Sequence, residues 1–315
     1  MNWWMDYLID SLAFGAVFIY GSTGEIITEK SGHLNLGIPG IMSMGGAGGC
    51  VMLNLIGASS LPPFLIVLLG ILSSMLFAVL MGLIYSFLTV TLRANQNVTG
   101  LALTTFGVGL AKVIMSKLDS AVYLKPQQMY RWPFAGRTDK LQLLGVMFFL
   151  ALIIALVAGW VLFRTKTGLH LRTVGENPAT ADAVGINVTG YKYAATCIGS
   201  GIAGLGGFYY IIDYMASREA YLSLEAYGWL SIALVIFALW RPHWTILGST
   251  VFGFLFSLGT TLTNAGLTPS MVLVQLLKML PYVVTILVLI VSSIRNKREN
   301  QPPSSLGLSY FREER

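Results

Sequence analysis

Apolar residues along this chain collect in long charge-poor runs, and the charged residues fall in a few short clusters between them. A helix needs about 20 apolar residues to cross the hydrocarbon layer of a bilayer. Runs of that kind lie near Trp4–Thr23, Leu36–Ile56, Phe64–Leu92, Asn97–Ser116, Leu141–Phe163, Tyr193–Ile212, Ala226–Leu239, Trp244–Thr263 and Met271–Ile294. Between Leu34 and Leu92 no Asp, Glu, Lys or Arg interrupts 59 residues, which holds two crossings. The pattern predicts an all-α polytopic membrane protein of about nine spans, within a range of roughly eight to ten. The run ending at Leu239 is short. The run from Leu36 carries Gly37, Gly40, Gly45, Gly46, Gly48 and Gly49, so the segment near 36–56 is expected to be tilted, broken or re-entrant, or to make close helix contacts.

Composition excludes a soluble globule: 55% of the residues are hydrophobic and 11% charged, against roughly 25% charged in soluble proteins. The net charge of +6 comes from cations beside the ends of apolar runs, with no basic stripe interleaved with aromatics, so no nucleic-acid partner is expected. Arg164, Lys166, Arg172 and Lys192 follow the fifth run, and Arg295, Lys297 and Arg298 follow the last. Both segments should therefore be cytoplasmic, with a cytosolic C-terminus. The same count places Lys117–Lys140 outside, although Lys117, Lys125, Arg131, Arg137 and Lys140 outnumber Asp119 and Asp139. With Tyr123, Tyr130 and Trp132-Pro133 this segment reads as an outer loop on the headgroups or a docking surface. The N-terminus has no basic n-region or cleavage site, so the first span is expected to be retained. The chain divides into a transmembrane domain over 1–298, including a cytoplasmic loop over 164–192, and a tail over 299–315. The tail, with Pro302-Pro303-Ser304-Ser305, is predicted to be disordered in the cytosol.

Several chemistries lack their residues. There is no GxxxxGK[ST] loop, so the chain should not hydrolyse ATP alone. Gly199-Ser200-Gly201-Ile202-Ala203-Gly204 matches GxGxxG but lies in an apolar run; Gly199, Ala203 and Gly207 recur every four residues, the small-residue spacing that lets membrane helices approach closely. His33, His170 and His243 form no HExxH, Cys50 and Cys197 read as packing residues, and no metal site is expected. Gly57-Ala58-Ser59-Ser60, with His243 as a conceivable base, is the weak basis for an intramembrane hydrolase; Ser and Gly are equally ordinary turn residues before Pro62-Pro63. Span centres carry no ionisable groups, with Asp10, Lys112 and Lys278 nearer the ends, so nothing resembles a proton relay.

The most informative segment runs from Leu171 to Val188. Asn177 can cap a helix, Pro178 suits its first position, Ala179, Ala181 and Ala183 favour it, and Gly185 can stop it in a left-handed conformation. The helix is about two turns, roughly 10 Å long. These residues alone leave open a connector between spans and a docking element. The segment resembles the coupling loop of permease subunits in bacterial ATP-binding-cassette importers, in the nucleoside and simple-sugar branch related to branched-chain amino-acid permeases. Gly24–Gly40, Asn95–Thr104 and Ala233–Pro242 extend the resemblance over most of the chain. Pro39 stands where that family commonly has Glu, and His33 where it usually has a small apolar residue.

The resemblance implies a non-catalytic permease in the bacterial plasma membrane that imports nucleosides. It implies a second permease subunit, forming a heterodimer, and a substrate-binding lipoprotein or periplasmic protein outside. No cofactor is expected in this chain; ATP and Mg belong to a separate cytoplasmic ATPase. Gly175, Glu176, Asn177, Pro178, Ala179, Ala183 and Gly185 would couple to that ATPase. A nucleoside route should be lined by amides, hydroxyls and an aromatic ring, and Asn35, Asn97, Thr99, Thr104 and Phe106 are the candidates. Each alone reads as ordinary interhelical bonding; as a group they read as pathway lining. Alternatives are a permease for simple sugars or branched-chain amino acids, or an ion-coupled secondary transporter, whose internal repeat would be the echo of Gly24-Glu25…Leu34-Asn35 in Gly175-Glu176…Ile186-Asn187.

Overall fold

The computed structural model describes residues 3–56, 59, 61–119, 127–264, 270–295 and 301–311. Most of the serine motif (Gly57, Ala58, Ser60), Tyr123 and Lys125 of the basic loop, and Lys297 and Arg298 lie outside the described residues. Among the described residues every regular element is helical: α1 (Trp3–Glu29), α2 (Ile38–Ile56), α3 (Pro63–Ser86), α4 (Gln96–Ser116), α5 (Gln127–Tyr130), α6 (Val146–Arg164), α7 (Lys166–Glu176), α8 (Pro178–Ala183), α9 (Val188–Phe208), α10 (Leu224–Phe237), α11 (Pro242–Asn264) and α12 (Met271–Arg295). Wide π turns extend α3 over Phe87–Thr91 and α9 over Tyr209–Met215. Among the described residues, seven segments, containing α1–α4, α6, α9 and α10, are long and apolar enough to cross a membrane by length and composition. Helices α11 and α12, of 23 and 25 residues, stand at the other two expected runs.

At the centre lie α1, α2 and α9, buried along most of their length, with the other long helices around them. Lipid offers no hydrophobic drive for helices to associate, so close packing must hold them. A Cβ added to Gly24 would stand 2.3 Å from the Gly199 carbonyl oxygen, and one added to Gly45 2.3 Å from the Gly204 Cα. These backbones touch, and no side chain fits between them. The small-residue face of α9 is thereby spent on α1 at Gly199 and on α2 at Gly207, whose added Cβ would strike the Met42 carbonyl. Helix α2 is continuous rather than broken or re-entrant, because its glycines serve these contacts. Tyrosine hydroxyls fasten neighbours: Tyr20 donates to the Met147 carbonyl at 2.6 Å and Tyr209 to the Ala13 carbonyl at 2.8 Å. Outward, α3 shows Leu72, Leu76, Leu80 and Leu83, and α6 shows Ile153, Leu156 and Val157, surfaces suited to acyl chains.

One expectation needs correction. Helix α1 does not stop near Thr23 but continues to Glu29, which places two carboxylates on a membrane helix. It can do so because Glu25 Oε1 accepts from the Asn35 amide at 3.0 Å and Glu29 Oε2 accepts from Trp240 Nε1. In the basic loop, Arg131, Arg137 and Lys140 find acidic partners within the fold. Arg131 donates to the Asp213 carbonyl at 3.0 Å, with its Nε 4.0 Å from the Asp213 carboxylate; Arg137 pairs with Asp139 at 3.0 Å and Lys140 with Asp10 at 3.5 Å.

Candidate functional site

The connector between α6 and α9 is a chain of capped helices. Thr165 opens α7 by accepting from the Gly168 amide at 3.1 Å. Asn177 ends α7, its amide donating to the Thr173 carbonyl at 2.9 Å, and opens α8, its Oδ1 accepting from the Thr180 amide at 3.0 Å. Pro178 takes the first position of α8, where no amide hydrogen is needed. At the far end the Ile186 amide reaches the Ala181 carbonyl and the Gly185 amide the Asp182 carbonyl, both at 3.0 Å, with Gly185 at φ +85°. This is a Schellman stop. Asn187 then caps α9, accepting from the Gly190 amide at 2.9 Å.

Beneath α8, fully buried Ala181 packs with Val174 and Val188, flanked by Ile186, Tyr191 and Tyr310. The other side of α8 is open: Asn177, Thr180, Ala183, Val184 and Gly185 are exposed, and Val184 keeps 69% of its surface. Gly175 departs from the other coupling candidates. It is buried, and an added Cβ would stand 2.3 Å from the Lys30 carbonyl oxygen, so it packs α7 onto the end of α1.

The tail corrects the expectation of disorder over 301–311. The Ser305 amide donates to the Gly175 carbonyl at 3.1 Å and Ser304 Oγ to Glu176 at 2.8 Å. Tyr310 donates to Asp182 at 2.9 Å, the Gly307 amide to the Gly32 carbonyl at 3.2 Å, and Gln96 to the Leu308 carbonyl at 3.3 Å. A short polar segment alone cannot bury enough to order itself, but here the turn after α1 and helices α4, α7 and α8 supply its partners. Burial lowers Lys30, beside this junction, to about 8, opposed by the charge of Glu176.

The five pathway candidates do not converge. Asn35 is buried and its Oδ1 accepts from the Gly37 amide at 2.9 Å; Thr104 is buried and donates to the Leu36 carbonyl at 2.7 Å; Thr99 is buried on the same side of α4. Of these, Thr104 joins α4 to the segment just before α2, while the Asn35 side-chain bond is local. Asn97 and Phe106 face away from the bundle, on an exposed surface of α4 that also carries Ala102, Thr105, Gly109, Lys112 and Ser116. Nothing lies within 4 Å of a Cβ added to Gly109.

The family model described as branched-chain amino acid transport system permease component matches residues 7–290. The chain belongs to that family. The permease is 32% identical over 292 residues to the nucleoside ABC transporter permease protein NupC of Lactococcus lactis subsp. cremoris, covering 88% of this chain and 89% of that protein. It is 30% identical to the guanosine ABC transporter permease protein NupQ of Bacillus subtilis over 89% of both chains. The protein named as a glucose ABC transporter permease, TsgC13 of Haloferax volcanii, is 32% identical over 94% of both. A solved structure, a metal-chelate type ABC transporter in an inward-facing conformation, shares the fold with a TM-score of 0.50 and 15% identity over 92% of this chain and 85% of that one.

Sequence reasoning missed Val184 on the permease's open helix, and the signal was there: an apolar residue wedged against the stop glycine of a polar helix has no core to enter. Ser305 and Tyr310 carried no such signal, because their partners lie at Gly175 and Asp182, far away in sequence.

Proposed function

We propose that this permease is one of two membrane subunits of an importer that carries nucleosides into the cell, driven by a separate cytoplasmic ATPase that binds ATP and Mg. The observation that carries the reading is α8: a helix capped at both ends, seated on its own small core and open on the opposite side. A chain of this family with no nucleotide loop can use ATP only through mechanical contact, and a helix stopped at both ends moves as one body. Asn177, Pro178, Ala179, Ala183, Val184 and Gly185 form the docking side; Glu176 ties it to the tail. Nucleosides are favoured by the relatives NupC and NupQ. The more distant NupB, another nucleoside permease of the same Lactococcus strain as NupC, supports a paired arrangement of unlike permeases.

The route then runs between the two permeases along the exposed face of α4, with Asn97, Thr105, Lys112 and Phe106 as lining groups, Asn35 and Thr99 buried, and Thr104 holding that helix to Leu36 before α2. An extracellular binding protein delivers the solute. The second reading, a sugar, is favoured by TsgC13. One experiment separates them: the complex, purified with its partners and reconstituted, is assayed for ATP hydrolysis with guanosine, glucose and leucine. Stimulation by guanosine alone supports the proposal. Uptake that ignores ATP and collapses with the ion gradient defeats it.

A further inference from the structure

A polar cavity of about 540 Å³ opens beside α8, where the span of α3 ends and that of α9 begins. Its lining includes Arg93, Lys192, His33, Asn187, Asp182 and Tyr310. Lys192 is only 3% exposed yet lines this space, and it forms no ion pair among the described residues. A buried, unpaired ammonium is costly unless an anion meets it. It sits one turn into α9, a helix of 21 residues whose first residues, Val188 and Thr189, line the same cavity. Their amides point out of the helix start without intrahelical acceptors, and the helix dipole adds partial positive charge there. Arg93 supplies a second cation at the exposed rim, held at φ +57° with its guanidinium over the Phe311 ring at 4.8 Å. Against these stands one carboxylate, Asp182, which already accepts from Tyr310. His33 is almost fully buried, and burial together with nearby Lys192 keeps its pKa well below the usual histidine value, so it contributes a neutral ring.

We infer that this cavity is a binding site for a phosphate group, held by Lys192, Arg93 and the first amides of α9. Two sources share that chemistry. The cavity lies at the level where two spans end, the depth of phospholipid headgroups, so an anionic lipid can present its phosphate there; a soluble phosphate can enter from the aqueous side. Either one ties the end of α3 to the start of α9 and to the tail at Tyr310, and so sets how firmly α8 is held.

The test uses the full permease purified with its partner subunits in a neutral detergent. Thermal stability is followed while dihexanoylphosphatidylglycerol is added, with dihexanoylphosphatidylcholine as the zwitterionic control, and separately while inorganic phosphate replaces chloride at equal ionic strength. Tm should rise with the anionic lipid or with phosphate, and the apparent affinity should weaken about ten-fold or more in Arg93→Gln and in Lys192→Gln, the loss of one charge-assisted contact. A rise with the lipid alone assigns the headgroup; a rise with inorganic phosphate assigns a free anion. If Lys192→Gln does not fold, Arg93→Gln at the rim decides. Three results overturn the site: no response to either anion, an equal response to the zwitterionic lipid, or an unchanged response in Arg93→Gln.

Discussion

Gly185 and Gly175 sit ten positions apart and answer to different constraints. At Gly185 there is space, since nothing lies within 4 Å of an added Cβ, but φ is +85°. Valine there costs about 1–2 kcal/mol of backbone strain, whereas asparagine tolerates the conformation. Gly185→Val should keep the bundle's Tm and lower nucleoside-stimulated ATP hydrolysis, and Gly185→Asn should restore it; equal coupling in the two variants would count against the rigid-helix account. At Gly175 the conformation is ordinary and the space is missing, so Gly175→Ala should lower Tm by the strain of overpacking, about 1–3 kcal/mol, with Gly109→Ala as the neutral control. Lys30 gives a pH dependence. Its folded value, about 8, lies below that of an unfolded lysine, so the unfolded chain holds the extra proton and stability rises with pH above about 8, the penalty being fully present below. The Tm of the parent minus that of Lys30→Met should therefore grow from about pH 7.5 to about pH 9.5; a constant difference would refute it.

Among the elements, α8 is short enough that its caps decide whether it exists, and the caps are written locally: Asn177, Pro178 and Gly185 act within four residues of their partners. What holds α8 to the bundle is not local. The strap of 301–311 bonds α7 at Gly175, α8 at Asp182 and the turn after α1 at Gly32. Hydrogen bonds of this kind contribute about 1 kcal/mol each, so Tyr310→Phe should speed amide exchange at Ile186 and Gly307 about five-fold while leaving α2 and α9 protected. Exchange unchanged at both amides would show that the strap does not hold α8.

Across the whole molecule, one outer face is more polar than the others. The outer surfaces of α3 and α6 are mainly leucine, isoleucine and valine, with Phe64, Phe149 and Trp160. That of α4 mixes Asn97, Thr105, Gly109, Lys112 and Ser116 with Val98, Leu101, Phe106 and Val113, and so carries more polar groups. A photoreactive residue placed at Phe106 should capture a protein of permease size, whereas one at Leu76 should capture only lipid; the reverse result would move the route away from α4.

The sequence by itself determined that the chain crosses a membrane, roughly where each span lies, and that a capped rod separates α7 from α9, because span length and helix caps depend on residues a few positions apart. Only the tertiary structure decided that α2 is unbroken, that Glu25 and Glu29 belong to a membrane helix, that Thr104 ties α4 to Leu36 while Asn97 faces out, and that 301–311 is ordered. Each of those outcomes turns on a partner far away in the chain: Gly204 for Gly45, Trp240 for Glu29, Leu36 for Thr104, Gly175 for Ser305. A polar group in lipid takes its meaning from whichever backbone or side chain satisfies it, and the spacing of residues along the chain does not name that partner.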